Sequence, residues 1–187
     1  MADSLATKAS MIGVAALPEA SALDATSRLQ EEVVGLFDLW RKPVLCYLIG
    51  VGLPVEDAEE IVQEVFLALF QHLRMGKARD NLQGWVFRVA HNLGLKRRKQ
   101  RASGTGVAER AITDPRPNPE DQYANVQRQS RLLAVVKALP EEDRACLYLR
   151  AEGLRYREIA QTLGMSVGAV SISLARSLAR IGRAAER

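Results

Sequence analysis

The spacing of the apolar residues constrains this chain more than any other feature of its sequence. Apolar residues recur at intervals of three and four through most of the 187 positions, and alternating runs typical of strands are nearly absent. Such spacing places apolar side chains on one face of an α-helix. Hydrophobic residues make up 48% of the chain, enough to bury a core, so wholesale disorder is not expected. The sequence therefore predicts an all-α protein.

Composition divides the chain into four segments. The first, residues 1–26, is rich in Ala and Ser and predicts a disordered tail rather than a signal peptide, because its apolar stretch is short and ends at Pro18. Residues 27–101 carry three predicted helices that form one compact domain. Residues 102–125 contain two Gly and three spaced Pro, which predict a flexible linker. Residues 126–187 carry four shorter helices, which form a second small domain.

Membrane insertion, a disulfide scaffold and a metal site are not expected. No apolar run approaches the roughly 18 residues that a transmembrane helix needs. Cys46 and Cys146 lie a hundred positions apart without a CxxC pattern, and neither His72 nor His91 has a Cys or a carboxylate at ligand spacing. We therefore expect a cytoplasmic protein with no cofactor, no metal and no catalytic site of its own.

Charged residues lie in blocks of alternating sign, although the formal net charge is only +4. Five carboxylates form an acidic block in the second predicted helix, where bare DNA would be repelled. Residues 77–101 then hold eight basic residues and one acidic residue, and residues 144–187 hold eight Arg and three acidic residues. Each block can be a solvated helix face, but the two basic segments also suit the phosphates of a nucleic acid.

The last two predicted helices have the form of a helix-turn-helix. Gly164 allows the tight turn between them, and Ser166 can cap the second helix. In that second helix the apolar spacing predicts a core face made of Val167, Val170, Leu174, Leu178 and Ile181. The residues left facing outward, which could enter a major groove, are Gly168, Ala169, Ser171, Ser173 and Arg176. Arg176 and Arg180 lie on a stripe suited to phosphates, although such a corner can be purely structural and the helix dipole alone favours Arg near a C-terminus.

The third helix combines aromatic rings with positive charge, a pattern that suits single-stranded nucleic acid. Trp85 lies at core spacing and is expected in the core. Asn92 and the loop from Met75 to Asn81 are the better candidates for capturing a base, since an Asn amide can pair with a base edge. The candidate contacts of this segment are Lys77, Arg79, Asn81, Arg88, Asn92, Lys96, Arg97 and Arg98.

Three motifs lie in order around the linker: DAEEIVQEVFLALF, GWVFRVAHNLGLKRR and ALPEEDRACLYLRAEGLRYREIAQTLGMSVGAV. Together they resemble the group 4 (extracytoplasmic function) sigma factors of bacterial RNA polymerase. The resemblance covers about Leu29 to Arg183 and implies two small helical domains, of which the first binds polymerase and the promoter's −10 element and the second reads the −35 element. It places the polymerase contact on Glu60, Gln63 and Glu64.

The resemblance further implies that a base of the non-template strand is flipped into a pocket near Asn92 and the loop from Met75 to Asn81. The implied −35 contacts are Ser166, Gly168, Ala169, Ser171, Ser173, Arg176 and Arg180. The chain departs from the family here, because it has GAVSIS where GTVKSR is common, so base readout and phosphate grip at −35 are expected to differ. Lys96 likewise stands where Asp or Asn is common.

These observations predict a promoter-specific initiation factor whose partners are core RNA polymerase and promoter DNA, with an anti-sigma factor as a further candidate. Opening about ten base pairs costs on the order of 14 kcal/mol, whereas each captured base returns only ~1 to 3 kcal/mol, so the polymerase is required. The two promoter elements are some 17 base pairs, roughly 58 Å, apart on the duplex. A flexible linker of this length has an r.m.s. span of only about 27 Å, so we expect the polymerase to hold it extended. The free protein is expected to be a monomer.

The alternatives are a stand-alone helix-turn-helix regulator, which leaves the acidic block unexplained, and a degenerate family member that reads promoters poorly.

Overall fold

The computed structural model describes residues 18–103 and 122–185, with side chains within residues 26–103 and 130–185. These residues form seven helices and no strand, so the predicted all-α fold is confirmed for the described part of the chain. The helices are α1 (Pro18–Gly50), α2 (Val55–Arg74), α3 (Leu82–Ser103), α4 (Gln122–Lys137), α5 (Glu141–Ala151), α6 (Tyr156–Leu163) and α7 (Val167–Ala185).

The helix ends differ from prediction beside the two segments expected to be flexible. The expectation of a disordered tail is wrong for residues 18–26, because α1 begins at Pro18. Pro suits the first helical position, and the Ala and Glu residues that follow it are good helix formers. Residues 1–17 of the predicted tail lie outside the described residues, as do residues 104–121 of the predicted linker. The remaining linker positions belong to α3 and α4.

The first three helices pack around a core that includes the second half of α1. Tyr47 and Phe87 are fully buried there, and their rings meet edge to face with centroids 5.7 Å apart. The predicted apolar face of α2 is buried, with Ile61, Val65 and Leu69 almost inaccessible to solvent. Because one face of α2 is committed to this core, its remaining polar residues form a single exposed face.

The last four helices pack around Leu149, Ile159 and Leu174. α6 ends at Gly164, whose φ of 67° is the left-handed conformation that glycine adopts most readily. The axes of α6 and α7 are bent by 103° across this turn, the angle expected of a helix-turn-helix. No single described helix is long and apolar enough to cross a membrane, and this bent pair passes that test only when its two helices are taken together.

The two predicted domains touch each other in this structure, through α1 against α5 and α3 against α6. The ring of Tyr148 lies over Gly50, where a Cβ atom would come within 2.5 Å of it. The side chain of Gln83 donates a 2.8 Å hydrogen bond to the carbonyl oxygen of Glu152. The buried residues of the two parts therefore form one continuous apolar cluster.

Candidate functional site

The acidic block of α2 forms an exposed surface made of Glu60, Gln63 and Glu64, which we call the α2 acidic face. Arg97 of α3 reaches this face: its Nη1 donates to Glu60 at 2.8 Å, and its Nη2 lies 3.7 Å from Glu64. Arg97 also donates at 3.1 Å to Asp57, which is only 10% exposed. The hydrogen bond to Glu60 raises the pKa of Arg97 further. The structure thus places Arg97 against the α2 acidic face, and not beside the other residues predicted to contact the −10 element.

The loop before α3 is tied to the helices beside it. Asn81 adopts a left-handed φ of 56°, and its Oδ1 accepts a 3.0 Å hydrogen bond from the backbone N–H of Gly84. The side chain predicted to capture a base therefore caps the start of α3. His72 donates from Nε2 to the carbonyl oxygen of Ala78 at 2.9 Å, and Arg79 pairs with a carboxylate of α1. These contacts hold the loop in one position.

Three predicted −10 residues form one exposed stripe along α3. Arg88, Asn92 and Lys96 are four residues apart and all are exposed. Trp85 continues the stripe toward the loop. It was expected in the core, but it is only half-buried and packs against the edge of the core. It helps to line a pocket of about 360 Å³ that also reaches Arg88 and is closed on the other side by α6 residues, among them Glu158.

Arg98, the last predicted −10 residue, points to the other domain. Its guanidinium pairs with both carboxylate oxygens of Glu141 at the start of α5. This hydrogen bond lowers the pKa of Glu141 and raises that of Arg98. A cavity of about 430 Å³ lies beside the pair, between the two parts of the chain.

His91 also lines this cavity and is hydrogen-bonded to Tyr47, with its Nδ1 2.8 Å from the Tyr47 hydroxyl. Burial lowers the pKa of His91, which favours the neutral ring. Burial also raises the pKa of Tyr47, so its hydroxyl keeps its proton and donates to the ring nitrogen. This arrangement satisfies both polar groups inside the fold. Within the described residues, no three His, Cys, Asp or Glu side chains are grouped so that they could hold a metal ion.

The outward face of α7 agrees with prediction at most positions. Ser166 caps the helix as expected, because its Oγ accepts a 3.1 Å hydrogen bond from the N–H of Ala169. Ala169 is half-buried. The remaining predicted residues that lie exposed on this helix are Gly168, Ser171, Arg176 and Arg180.

Ser173 does not face outward, so its predicted contact with −35 DNA is wrong. It is buried and donates a 2.8 Å hydrogen bond to Oδ1 of Asp143. Ser177 is buried as well, whereas Val167 and Leu178, which were expected in the core, are exposed. Small Ser side chains let α7 approach its neighbours closely, and a buried carboxylate satisfies the Ser173 hydroxyl, so the buried face is rotated from the one that hydrophobicity alone predicts.

Asp143 is the site residue that the sequence did not reveal. Its side chain is 1% exposed and accepts hydrogen bonds from Arg176 at both oxygens, from Nε at 2.8 Å and from Nη2 at 2.5 Å. The Arg176 guanidinium holds the pKa of the Asp143 carboxyl below its usual value. In the sequence, Asp143 resembles any acidic residue in the first turn of a helix, where the dipole favours it. No local pattern marks it as the partner of a residue on α7.

Within the described residues, the fold combines a helix-turn-helix with exposed basic residues on α3 and α7 and with the α2 acidic face. Comparison with known families matches residues 36–103 to "Sigma-70 region 2" and residues 129–181 to "Sigma-70, region 4". The ECF RNA polymerase sigma factor ShbA of Streptomyces griseus is 32% identical over 141 residues, which cover 71% of this chain and 72% of that protein. The chain belongs to the extracytoplasmic function (ECF) family of sigma factors, as its motifs predict.

Other relatives are longer than this chain. The ECF sigma factor SigE of Mycolicibacterium smegmatis is 35% identical over 119 residues, 61% of this chain and 46% of that protein. The probable sigma factor RfaY of Xanthomonas campestris is 30% identical over 145 residues, 74% of this chain and 36% of that protein. The chain therefore spans less than half the length of these two relatives. Among solved structures, the sigma factor RpoE of Bartonella quintana, in complex with the anti-sigma factor NepR, has the same fold, with a TM-score of 0.64 and 16% identity over 83% of this chain and 98% of that one.

Proposed function

We propose that this chain directs bacterial core RNA polymerase to specific promoters by binding the polymerase, trapping the −10 strand and reading the −35 duplex, without catalysis of its own. The observation that carries the proposal is the α2 acidic face, Glu60, Gln63 and Glu64, which lies exposed on the same helical part of the chain as the basic stripe of α3. Carboxylates repel DNA phosphates, so DNA binding does not explain this face. A basic protein surface is the partner that its charge favours.

The shape of the α2 acidic face supports a protein partner. A pocket of about 130 Å³ lies beside Gln63, between α1 and α2, and Phe37 and Leu45 contribute apolar side chains to its wall. A pocket next to charged groups suits an anchor side chain of a protein interface. Glu60 and Glu64 already interact with Arg97, so a basic partner must share these carboxylates with it or displace it.

The exposed stripe of α3 supports binding to an opened DNA strand. Arg88 and Lys96 offer positive charge to phosphates, and Asn92 between them offers an amide to a base edge. Lys77 of the neighbouring loop is exposed and extends this surface. Three of the predicted arginines, Arg79, Arg97 and Arg98, are held by carboxylates. Because Asn81 caps α3, we leave it and these arginines out of the proposed contacts.

Simultaneous binding of both promoter elements requires the two parts of the chain to separate. In this structure α3 lies against α6, whereas the two elements are roughly 58 Å apart on the duplex. The exposed Arg98–Glu141 pair opposes separation only weakly, because such a pair contributes about 0 to 1 kcal/mol. Separation must also break the hydrogen bond between Gln83 and Glu152 and expose the shared apolar cluster. We propose that polymerase binding drives the separation. By analogy with RpoE, whose solved structure contains NepR, an anti-sigma factor is a candidate partner that would oppose it.

Size-exclusion chromatography with core polymerase tests the proposal. We expect the wild-type chain to co-migrate with the core enzyme, and a Gln63→Ala/Glu64→Ala variant to elute separately. Glu142→Ala is the matched control, because it also removes one exposed negative charge but lies on α5, away from the α2 acidic face. Run-off transcription on genomic fragments should then give discrete transcripts with core polymerase and the wild-type chain together, and none with core polymerase alone.

Two results would contradict the proposed function. The proposal is wrong if the wild-type chain does not co-migrate with core enzyme even at low ionic strength. A chain that binds duplex DNA as a dimer, with no effect of polymerase, would identify a stand-alone helix-turn-helix regulator.

A further inference from the structure

The outward face of α7 carries one large apolar side chain near the middle of the helix. Ile172 is 65% exposed. Single exposed apolar residues are common on protein surfaces, but this one lies on the second helix of a helix-turn-helix. On one side of it lie exposed small residues, Gly168 and Ala175 one turn away and Ala179 two turns away, whereas Arg176 is the large neighbour on the other side. Ile172 therefore projects beyond its small neighbours, which would let the helix backbone come close to the floor of a groove on that side.

Few hydrogen-bond donors share this face with Ile172. Ser171 is exposed, but Ser173 is buried and bonded to Asp143. Arg176 follows Ile172 by one helical turn, yet its Nε and one of its terminal nitrogens are held by Asp143. One of the two edges with which Arg can grip a base is thus occupied, and the direction of the other edge is fixed. Polar readout on this face is limited, and the apolar side chain is its most prominent feature.

We propose that Ile172 is a specificity-determining residue that contacts the C5-methyl group of a thymine in the major groove of the −35 element. This inference rests on the proposed promoter function. The methyl group is the one apolar feature that a base pair presents in the major groove, and apolar side chains recognise it. Arg180 and Arg183 lie one and two turns beyond Arg176, are exposed, and supply the positive charge that would hold α7 against the phosphates.

Replacement of thymine by deoxyuridine tests this contact, because it removes only the methyl group. The probe is a promoter fragment recovered by run-off transcription with core polymerase and the full chain, in which each upstream thymine is replaced in turn. At one position we expect promoter binding by the wild-type holoenzyme to weaken about four-fold, the effect of burying one methyl group. With Ile172→Ala, the same replacement should change binding less than about 1.5-fold, by the same reasoning.

Leu178→Ala is the matched control, because Leu178 is 59% exposed on α7 but faces another direction. It should keep the full four-fold effect of the replacement. Since Ile172 is exposed, Ile172→Ala should unfold at the wild-type midpoint, so that lost discrimination is distinguished from lost folding.

The possible outcomes separate this inference from the proposed function. If the wild type transcribes the fragment but no upstream replacement weakens its binding, or if Ile172→Ala retains the loss, the contact is overturned and the promoter function stands. If the wild type yields no transcript from any fragment with core polymerase, both are overturned.

Discussion

Replacing Asp143 with Asn tests how the helix-turn-helix holds its arginine. The substitution keeps the size of the side chain but removes its charge and turns one acceptor oxygen into a donor. In the wild type this carboxylate accepts bonds from Ser173 and from two nitrogens of Arg176. An Asn amide oriented to accept from Ser173 would place its NH₂ against the Nε–H of Arg176, where two donors face each other.

The expected loss of stability follows from these contacts. A hydrogen bond between charged groups contributes about 1.5 to 3 kcal/mol, and Asp143 is 1% exposed, so water cannot replace the lost partner at that carboxyl group. Arg176 itself is half exposed and can turn toward solvent, which reduces the loss. We therefore expect the Asp143→Asn chain to unfold with about 2 kcal/mol less free energy, which lowers the melting temperature by about 4 to 8 °C for a protein of this size.

The loss should depend on pH in one direction. Because Arg176 lowers the pKa of Asp143 in the folded state, the unfolded chain takes up a proton first as the pH falls. The additional free energy of unfolding that the Asp143 carboxylate gives the wild type is therefore complete above the pKa of about 3.9 that Asp has in the unfolded chain. It is lost as the pH falls through the lower pKa of Asp143 in the folded state. The difference between wild type and variant should stay constant from about pH 8 to pH 5 and narrow below about pH 4.

Urea unfolding followed by circular dichroism at several pH values measures this difference, and hydrogen exchange of α5 and α7 amides locates it. Glu142→Gln is the control, because Glu142 is the exposed neighbour of Asp143 in the chain. A variant as stable as the wild type at pH 7, or a difference that widens in acid, would refute the reasoning.

Two other substitutions test the packing and the charge assignments. Gly50→Ala places a Cβ atom 2.5 Å from the Tyr148 ring, so we expect urea unfolding to show a loss of about 1 to 3 kcal/mol, whereas Gly35→Ala in open space should raise stability by about 0.5 to 1 kcal/mol. Equal effects of the two would mean that the contact between α1 and α5 is not rigid. Lys96→Ala should reduce the salt dependence of promoter binding by about one unit of slope, whereas Arg97→Ala should leave the slope unchanged and lower stability, since Arg97 bonds to carboxylates. Filter binding between about 50 and 200 mM salt measures the slope of the logarithm of the binding constant against that of the salt concentration. A smaller slope for Arg97→Ala would show that Arg97 does contact DNA phosphates.

The sequence predicts most of the helices and the turn between α6 and α7 because their signals are local. Gly164 and Ser166 act within three or four residues of their own positions, and both behave as predicted. The apolar face of α2 is also correct, since that face is long and regular. Helix ends beside Pro18 were harder to predict, because composition alone does not separate a helix of Ala and Glu residues from a disordered segment.

The face of α7 shows where hydrophobic spacing fails. Leu178 matches the predicted core stripe, yet Ser173 and Ser177 are the buried residues. Which of these positions is buried depends on how closely α7 approaches its neighbours and on the acceptor that Asp143 offers to Ser173. Spacing within one helix contains no information about either.

By itself, the sequence determined the helices, the helix-turn-helix and the family, because these follow from residue order and from interactions between near neighbours. Only the tertiary structure decided which charges remain available for a partner. Arg98 is paired with Glu141 and Arg176 with Asp143, across 43 and 33 positions of the chain. An arginine in a sequence is equally able to bind a phosphate or a carboxylate, and the fold decides between them by placing one carboxylate within hydrogen-bonding distance.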